Sequence, residues 1–304
     1  MRILVLGSTG YLGGHVAQQA GLLPGVRLLQ AARRPDAGAD LVADLATTGT
    51  ERLAKALADL APDAVLNCAG AVSGDPVRLA EVNARGPAVL CAALREAAPA
   101  ARLVHLGSAA EYGPGVHGER TTESAPTRPT SPYGATKLAG TVAVGASGLD
   151  AVVLRVGNPV GPGAPAAGLP GGLALRLRAA GGDPGAVLRL GDLSAHRDFV
   201  DVRDVARAAV LAATAPGPLP AVLNIGGGGA VPVRALVHGL VRTAGFQGRI
   251  EETAGGSSRS AGVPWQCSDI TAAREALDWT PRFRLEDSLA ALWAAQQAGP
   301  TAVR

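Results

Sequence analysis

Cysteine is scarce in this sequence of 304 residues, which contains only Cys68, Cys91 and Cys267. Their spacing is neither paired nor typical of a metal site, so a disulfide framework and a zinc centre are both disfavoured. Thiols in such a pattern are most often small buried apolar side chains. We therefore predict that the protein binds no metal.

Long apolar runs and basic clusters are missing too. Glycine, proline or arginine interrupts every apolar stretch before it could span a membrane, and the run at 3–6 leads into a glycine turn rather than a signal-peptide cleavage site. The formal net charge is only +3, and no basic block is interleaved with aromatic residues. We expect a soluble cytoplasmic protein that binds a small molecule and neither nucleic acid nor membrane.

Lysine and tyrosine are also rare. Of the 28 basic residues only Lys55 and Lys137 are lysines, and the tyrosines are Tyr11, Tyr112 and Tyr133. Apart from Lys55, all of these residues lie within the motifs described below.

Short β-rich apolar runs alternate with helical patterns rich in alanine, leucine and arginine. Strands separated by helices form βαβ units, and such units build a parallel sheet. The sequence therefore predicts an α/β fold with a Rossmann-type, doubly wound parallel sheet. The predicted strands are 3–6, 26–31, 64–67, 103–107, 151–156 and 221–225, with helices from residue 13, around 85–97 and from residue 133.

The composition changes after Asn158, where glycine-rich loops alternate with short helices. This pattern predicts a smaller C-terminal substrate-binding lobe, although 161–172 could also be a surface loop without function. The predicted loops are 161–172, 181–185 and 249–262. The predicted division is a dinucleotide-binding domain of residues 1–157, with returning segments at about 193–228, and a lobe of residues 158–192 and 229–304.

A glycine-rich turn follows the first predicted strand and opens the first helix, which is the context required of a phosphate-binding turn. Its first glycines permit a tight turn and close approach to a pyrophosphate, while Gly13 lets the helix pack on the strand. The helix N-terminus adds N–H groups and a partial positive charge. The residues of this turn predicted to bind a dinucleotide are Gly7, Ser8, Thr9, Gly10, Tyr11, Leu12 and Gly13.

Later segments are expected to add dinucleotide contacts. They are Asp44 and Leu45 near the adenine, Cys68, Ala69 and Gly70 in the turn after the next cofactor-binding strand, Asn83, and the pair Tyr133 and Lys137. Asn83 is more typical of a structural or water-relay residue than of a reacting one.

Arg33 and Arg34 follow the second strand, and no carboxylate occurs before Asp36. A carboxylate there would bind the ribose hydroxyls of NAD and repel a 2′-phosphate, whereas arginine can bind that phosphate by charge-assisted hydrogen bonds. NADP(H) is therefore the favoured cofactor, and NAD(H) is the alternative. The two arginines could also belong to a solvated loop of an arginine-rich chain.

Tyr133 and Lys137 form the most specific chemical motif. Ser131 as N-cap and Pro132 at the first position predict the start of a helix, which places the pair four residues apart on one face. An ammonium lowers the pKa of a neighbouring phenol and can bond to the nicotinamide ribose. The pair therefore predicts a proton donor beside a hydride donor, the alternative being an ordinary surface pair.

Ser108 lies at the end of the strand predicted at 103–107, directly after its last residue. At that position its hydroxyl can hydrogen-bond a carbonyl oxygen that is being reduced. We predict that Ser108, Tyr133 and Lys137 are the catalytic residues of a NAD(P)-dependent oxidoreductase. Structural roles are predicted for four histidines without an identifiable partner, His15, His105, His117 and His238.

The motifs resemble the extended short-chain dehydrogenase/reductases, the nucleotide-sugar epimerase/dehydratase group, across essentially the whole chain. The matching segments are GSTGYLG (7–13), NCAG (67–70), GSAAEYG (107–113), YGATK (133–137), LRVGNPVG (154–161) and LNIG (223–226). Within that group, residues 191–205 and the approach to Tyr133 are most similar to the GDP-4-keto-6-deoxymannose reductases and related nucleotide-sugar 4-ketoreductases.

The resemblance implies further roles. The substrate-binding residues it implies are Ser108, Ala109, Ala110 and, for the nucleotide diphosphate, Asn158, Arg197 and Arg259. A guanidinium fork suits phosphate oxygens, although Arg197 could instead pair with Asp198 or Asp201. In the family's dehydratases an Asp-Glu pair follows the active-site hydroxyl residue, and here Ala109 and Ala110 replace it, which disfavours dehydration.

Together with the resemblance, the sequence predicts an NADP(H)-dependent ketoreductase of a nucleoside-diphosphate 4-keto-6-deoxyhexose, with Tyr133 as proton donor. The family also implies a homodimer. Three alternatives stay open: a nucleotide-sugar epimerase with retained NAD(P), a reductase of a natural-product ketone, and a redox sensor that binds NADP without reacting. Relatives of the last kind characteristically lack the Tyr/Lys pair.

Overall fold

The computed structural model describes residues 1–35, 38–253, 255 and 262–299, and the bounds below refer to these residues. The strands are β1 (Arg2–Leu6), β2 (Arg27–Ala32), β3 (Leu41–Val42), β4 (Ala64–Asn67), β5 (Arg102–Ser108), β6 (Ala151–Val156), β7 (Asn158–Val160), β8 (Val187–Leu190), β9 (His196–Asp201), β10 (Val222–Ile225), β11 (Ala230–Pro232) and β12 (Arg249–Glu252). The helices are α1 (Tyr11–Gly21), α2 (Thr50–Leu60), α3 (Pro76–Ala80), α4 (Gly86–Ala97), α5 (Pro132–Gly145), α6 (Leu169–Ala180), α7 (Val202–Thr214), α8 (Val233–Ala244), α9 (Thr271–Leu277) and α10 (Leu285–Ala298).

A parallel sheet forms the centre of the molecule, with the strand order β10-β6-β5-β4-β1-β2-β3. Ile3, Val5, Val65 and Leu154 are fully or almost fully buried in it, as expected of parallel strands that are covered on both faces. The strand order reverses between β1 and β4. In sheets of this kind ligands bind outside the carboxyl ends of the strands, beside such a reversal.

Helices cover both faces of this sheet. On one face, Val16 of α1 and Val205 of α7 join the same apolar cluster as β1 and β6. On the other face, α2, α4 and α5 contribute Leu57, Leu90 and Val144 to a second cluster. The two covered faces confirm the predicted α/β doubly wound fold. No helix of the described chain is long and apolar enough to cross a membrane.

A third apolar cluster lies beside the central sheet, where α6, α8 and α10 contribute Leu177, Leu236, Leu240 and Leu289. Two small sheets belong to this region, one with the order β11-β9-β7 and one made of β12 and β8. The chain leaves the central sheet after β6 and returns to it with α7 and β10.

The six predicted strands agree with the structure to within one residue at each end, but two predicted loops were partly wrong. Helix α6 begins at Leu169, inside the expected loop 161–172, because Pro170 is compatible with a first helical turn and the later leucines bury in the third cluster. Strand β12 lies inside the expected loop 249–262, paired with β8. The helix expected from residue 13 begins at Tyr11.

Candidate active site

The glycine turn between β1 and α1 is built for a close approach of the backbone. Gly7 has φ +75°, and a Cβ there would lie 2.9 Å from the main-chain nitrogen of Ala69. A Cβ on Gly13 would overlap the carbonyl oxygen of Gly7. Gly10 is the N-cap of α1 and no side chain caps that helix, so the N–H groups of its first turn face outward. This narrow cradle fits the diphosphate of a dinucleotide.

The side chains of this turn serve mainly to hold it in place. Ser8 Oγ donates to the carbonyl oxygen of Ala31 at 3.2 Å, and Leu12 packs against the first apolar cluster. Burial, followed by the charge of Asp201, raises the pKa of the Tyr11 hydroxyl above its usual range. That hydroxyl has no hydrogen-bond partner among the described residues. Thr9 is exposed and can contact a ligand.

The residues expected around the adenosine end differ in their exposure. Arg33 and Arg34 follow β2 and both are exposed, so their guanidinium groups can reach a ligand. Asp44 accepts hydrogen bonds from the Ala46 N–H at 3.0 Å and from Arg78 at 3.3 Å. Burial acts to raise the pKa of Asp44, but these bonds outweigh it and hold the pKa below its usual value.

Leu45 is the other residue expected near the adenosine. Leu45 is 4% exposed and belongs to the second apolar cluster, so the surface it can offer a ligand is small. Asp36, the first carboxylate after β2 in the sequence, lies outside the described residues.

The turn after β4 contains Cys68, Ala69 and Gly70. Burial raises the pKa of the Cys68 thiol to about 12, against the opposing charge of Lys137, so the thiol is protonated and unreactive at neutral pH. Asn83 stabilises this turn, because its amide both donates to and accepts from the main chain of Ala71 at 2.8 and 2.9 Å. Asn83 also donates to Thr136 Oγ1 of α5 at 3.3 Å, so it links this turn to the helix that carries Tyr133 and Lys137.

Helix α5 begins as predicted, with Ser131 accepting from the Gly134 N–H at 3.2 Å and Pro132 in the first turn. A Cβ on Gly134 would lie 2.6 Å from the carbonyl oxygen of Ala110, so this helix end packs directly on the segment after β5. Tyr133, next to Gly134, is half-buried. The absence of a side chain at Gly134 thus lets the first turn of α5, which contains Tyr133, lie against the turn that follows β5.

Lys137 lies one turn further along α5 and is 5% exposed. Its Nζ atom donates to the carbonyl oxygen of Leu106 at 2.5 Å. Burial lowers the pKa of this ammonium to about 8, against the opposing effects of Glu111 and Cys68. The lysine can therefore change its protonation state close to neutral pH.

Ser108 ends β5, as predicted, and is 7% exposed. Its Oγ atom accepts from the Ala110 N–H at 3.2 Å, which leaves the hydroxyl proton available for a ligand. Its own N–H donates to Glu111 Oε1 at 2.8 Å. Ser108 and Glu111 form a capping box around a single 3₁₀ turn, and these bonds fix the direction of the serine side chain.

A buried polar network behind Ser108 was not foreseen from the sequence. Glu111 is fully buried, and its Oε2 accepts from Arg155 Nε at 2.8 Å. The Arg155 guanidinium lies 4.5 Å from the ring centre of Tyr112, whose hydroxyl donates to Asn224 Oδ1 at 2.8 Å. One signal was available in the sequence, because Glu111 and the rare Tyr112 both lie inside the segment GSAAEYG.

The proposed diphosphate residues lie on β7 and β9, which are paired in parallel. Asn158 Nδ2 donates to Gln266 Oε1 at 2.6 Å and to the carbonyl oxygen of Asp198 at 3.2 Å. Arg197 is 6% exposed, and burial lowers the pKa of its guanidinium. Arg259 lies outside the described residues. Gln266 is a neighbour of the site that the sequence did not reveal.

Two carboxylates were alternative partners for Arg197, and the structure gives both of them other donors. Asp198 accepts from the N–H groups of Gly227 at 2.6 Å and Ser268 at 2.9 Å. Asp201 accepts from the Arg203 guanidinium at 2.8 Å.

Three of the histidines have neighbours that the sequence did not predict. His105 Nδ1 lies 3.1 Å from Asn67 Nδ2, and burial together with Lys137 lowers the pKa of this ring well below its usual value. His15 Nε2 lies 3.0 Å from the carbonyl oxygen of Pro162. The ring of His117 packs 4.4 Å from that of Trp265. These contacts hold neighbouring segments together, in keeping with structural roles.

Comparison with known proteins shows what this chain is similar to. The model of the NAD dependent epimerase/dehydratase family matches residues 3–226. Among curated proteins, the chain is 37% identical over 313 aligned residues to dTDP-6-deoxy-L-talose 4-dehydrogenase (NAD(P)(+)) from Kitasatospora kifunensis, which covers 99% of this chain and 97% of that protein.

Solved structures of other proteins resemble this chain over nearly its whole length. A UDP-glucose 4-epimerase from Thermotoga maritima, solved with UDP-glucose, is 25% identical with a TM-score of 0.84 and covers 98% of this chain and 99% of its own. The structure of RMD from Pseudomonas aeruginosa complexed with NADPH has a TM-score of 0.82 at 23% identity, with coverage of 98% and 99%. At that identity the second likeness concerns the fold.

Proposed function

Since the chain belongs to the NAD dependent epimerase/dehydratase family, we propose that it is an NADP(H)-dependent ketoreductase of a nucleoside-diphosphate 4-keto-6-deoxyhexose. The observation that carries this proposal is the meeting of α5 with the end of β5. Lys137 bonds to Leu106, two residues before Ser108, and Gly134 lies against Ala110. These contacts join the start of α5, where Tyr133 and Lys137 lie, to the end of β5, where Ser108 lies.

The proton chemistry follows from these side chains. Tyr133 gives its phenolic proton to the C4 oxygen as the ketone becomes an alcohol, and the Ser108 hydroxyl donates a hydrogen bond to the same oxygen. The ammonium of Lys137 stabilises the phenolate that is left on Tyr133. A bound nicotinamide dinucleotide supplies the hydride for the C4 carbon.

The glycine turn and Lys137 would hold that dinucleotide. The free N–H groups at the start of α1 suit its diphosphate, and Lys137 suits the nicotinamide ribose. The preference for NADP(H) over NAD(H) rests on Arg33 and Arg34, which are both exposed after β2 and can bind a 2′-phosphate.

Dehydration is disfavoured by the residues that follow Ser108. Ala109 is 2% exposed and Ala110 carries no ionisable group. The carboxylate of this segment, Glu111, is buried and bonded to Ser108 and Arg155. No described residue of this turn therefore offers the substrate an acid/base carboxylate.

The substrate class is taken from the relative that is 37% identical over 99% of this chain, because that protein is named for the C4 position of a dTDP-6-deoxyhexose. We propose that Asn158 and Arg197 bind the nucleotide diphosphate, and that residues 158–192 and 229–304 form the substrate-binding lobe. A deeply buried arginine suits phosphate because its charge is poorly screened there.

The direct test is incubation with dTDP-, GDP- and UDP-linked 4-keto-6-deoxyhexoses and either NADPH or NADH, followed by absorbance at the nicotinamide band and product analysis. The proposal expects NADPH consumption equal to the alcohol formed, with the dTDP substrate best. Interconversion of C4 epimers without net cofactor use would establish the epimerase instead. Tight NADPH binding without turnover of any ketone would indicate a sensor.

The nucleotide requirement has a separate test in thermal unfolding. Binding of dTDP to the folded protein should raise the melting temperature. Absence of such protection, together with turnover of a ketone that carries no nucleotide, would favour a natural-product reductase.

A further inference from the structure

We propose that Glu111 is a positioning residue, whose carboxylate holds Ser108 through the backbone and acts as the counter-charge of the Lys137 ammonium. This inference rests on the proposed function, since it concerns how two groups of the same site are oriented. It adds a residue to which neither the motifs nor the family resemblance gave a role.

Two hydrogen bonds fix the geometry of the Glu111 carboxylate. One oxygen of Glu111 accepts from the Ser108 N–H at 2.8 Å and the other from Arg155 Nε at 2.8 Å. The side chain is fully buried, and a buried carboxylate is tolerated only when it is paired and hydrogen-bonded. With both oxygens bonded in different directions, Glu111 has little rotational freedom and the serine shares that rigidity.

Arg155 is itself held from the far side. Its guanidinium lies over the ring of Tyr112 at 4.5 Å, and the Tyr112 hydroxyl bonds to Asn224. The amide of Asn224 donates to the carbonyl oxygens of Thr121 and Asp269 at 2.9 and 3.1 Å. The Glu111–Arg155 ion pair is therefore held in place, through Tyr112 and Asn224, by β10 and by the loops that contain Thr121 and Asp269.

The Glu111 carboxylate lies between β5 and α5. A Cβ on Gly107 would be 2.8 Å from Glu111 Oε1 and 3.4 Å from Thr141 Oγ1 of α5. The carboxylate thus occupies the seam between β5 and α5, in space that only a glycine at position 107 leaves open. Lys137 projects into the same seam, where it bonds to Leu106, the residue before Gly107.

Besides Tyr133, one turn earlier on the same helix, the titratable groups beside Lys137 come from three other parts of the fold. His105 of β5 has a pKa far below its usual value because it is buried beside the ammonium, so it is neutral. Cys68, in the turn after β4, has a pKa of about 12 and is neutral as well. The third neighbour, Glu111, is the carboxylate of the ion pair with Arg155. It opposes the burial that lowers the pKa of Lys137 to about 8.

Removing the carboxylate charge makes protonation of Lys137 less favourable, so the pKa of the lysine falls below its present value. Protonated Lys137 would then be lost at lower pH, and the alkaline limb of the turnover profile would move in the acid direction. Loss of one neighbouring charge gives a shift on the order of one pH unit.

The test is Glu111→Gln, which keeps a carbonyl oxygen for the Ser108 N–H but removes the charge. The scarcity of lysine allows a direct readout, because protein labelled with carbon-13 at lysine Cε gives signals from only Lys55 and Lys137. Lys55→Arg assigns the two signals. In Glu111→Gln the Lys137 signal should titrate about one pH unit lower than in the parent protein, whereas the exposed Lys55 signal should be unchanged.

This titration does not depend on knowing the substrate, so it separates failure of the inference from failure of the proposed function. If the protein reduces no 4-keto sugar nucleotide, the proposed function fails while the Lys137 titration still reports on Glu111. An unchanged Lys137 titration in a folded Glu111→Gln protein would overturn the counter-charge role. With an active enzyme, the kcat profile should shift with the titration.

A second variant guards against misfolding, since Glu111→Gln leaves Arg155 buried without its carboxylate. The double change Glu111→Gln, Arg155→Met removes both charges and should recover most of the lost melting temperature. If the single variant does not fold, the double variant carries the test. Because the double variant also loses the positive charge of Arg155, it is compared with Arg155→Met alone, which keeps the Glu111 carboxylate. The Lys137 signal should titrate at lower pH in the double variant than in Arg155→Met, and equal titrations in these two folded proteins would show that Glu111 acts only on stability.

Discussion

The Nζ atom of Lys137 donates a hydrogen bond to the main-chain oxygen of Leu106 at 2.5 Å, and the lysine is only 5% exposed. The pKa of the ammonium is about 8 in the folded protein and 10.5 for an unperturbed lysine. Since the folded state holds this proton less tightly, the charged lysine destabilises the fold below pH 8. That penalty is lost as the pH rises from 8 towards 10.5.

Lys137→Met is therefore expected to stabilise the protein while abolishing its chemistry. The pKa difference corresponds to a gain of about 3 kcal/mol in the free energy of unfolding when the charge is removed. Loss of the hydrogen bond to Leu106 lowers this gain by about 1 kcal/mol. Urea unfolding at pH 7 should show a gain of roughly 2 kcal/mol that shrinks at pH 9.5, with turnover reduced at least ~100-fold. A variant less stable than the parent at pH 7 would show that Lys137 is held mainly by its hydrogen bond.

Gly13→Ala tests the dinucleotide turn, and Gly14→Ala is its matched control. A Cβ on Gly13 would overlap the Gly7 carbonyl oxygen, so the turn must shift. A Cβ on Gly14 would lie 3.5 Å from the Ser8 carbonyl oxygen, an ordinary contact. NADPH titration by fluorescence should show binding weakened at least ~10-fold in Gly13→Ala and nearly unchanged in Gly14→Ala. Equal binding by both variants would remove this turn from the cofactor site.

Arg33→Ala and Arg34→Ala test the choice of cofactor. Each lost charge-assisted contact to a 2′-phosphate should raise the KM for NADPH about tenfold, while the KM for NADH stays within about twofold. Arg27→Ala is the control, since Arg27 is also exposed but lies at the opposite end of β2. If the KM values for both cofactors rise together, the two arginines do not discriminate between them.

The sequence was sufficient to predict the central sheet because its strands are continuous apolar runs. The turns and helix starts between them contain residues typical of those positions, such as glycine, serine and proline. The residues from Ile3 to Leu6 are almost completely buried, and the glycine turn follows them without a gap. Ser131 and Pro132 likewise predicted the start of α5. In each case the information is local, since a strand, a turn or a helix cap depends on a few neighbouring residues.

The network behind Ser108 could not be predicted in the same way. Glu111 and Arg155 are 44 residues apart in sequence, and Asn224 belongs to the strand that returns to the sheet edge. A carboxylate in a loop is usually solvated, and only the packing of β5, β6 and β10 shows that this one is buried. The contact of Gln266 with Asn158 has the same origin, because it depends on two distant segments that meet only in the fold.

Tyr133→Phe is the decisive variant for the proposed chemistry. It removes the phenolic proton and leaves the ring, so α5 should keep its packing against Ala110. Turnover of the 4-keto sugar nucleotide should fall by about 10²–10⁴-fold, whereas NADPH affinity should change by less than about twofold and the melting temperature by only a few degrees. Stopped-flow measurement of a single turnover separates the reduction step from product release. Full activity in Tyr133→Phe would transfer the role of proton donor to another group.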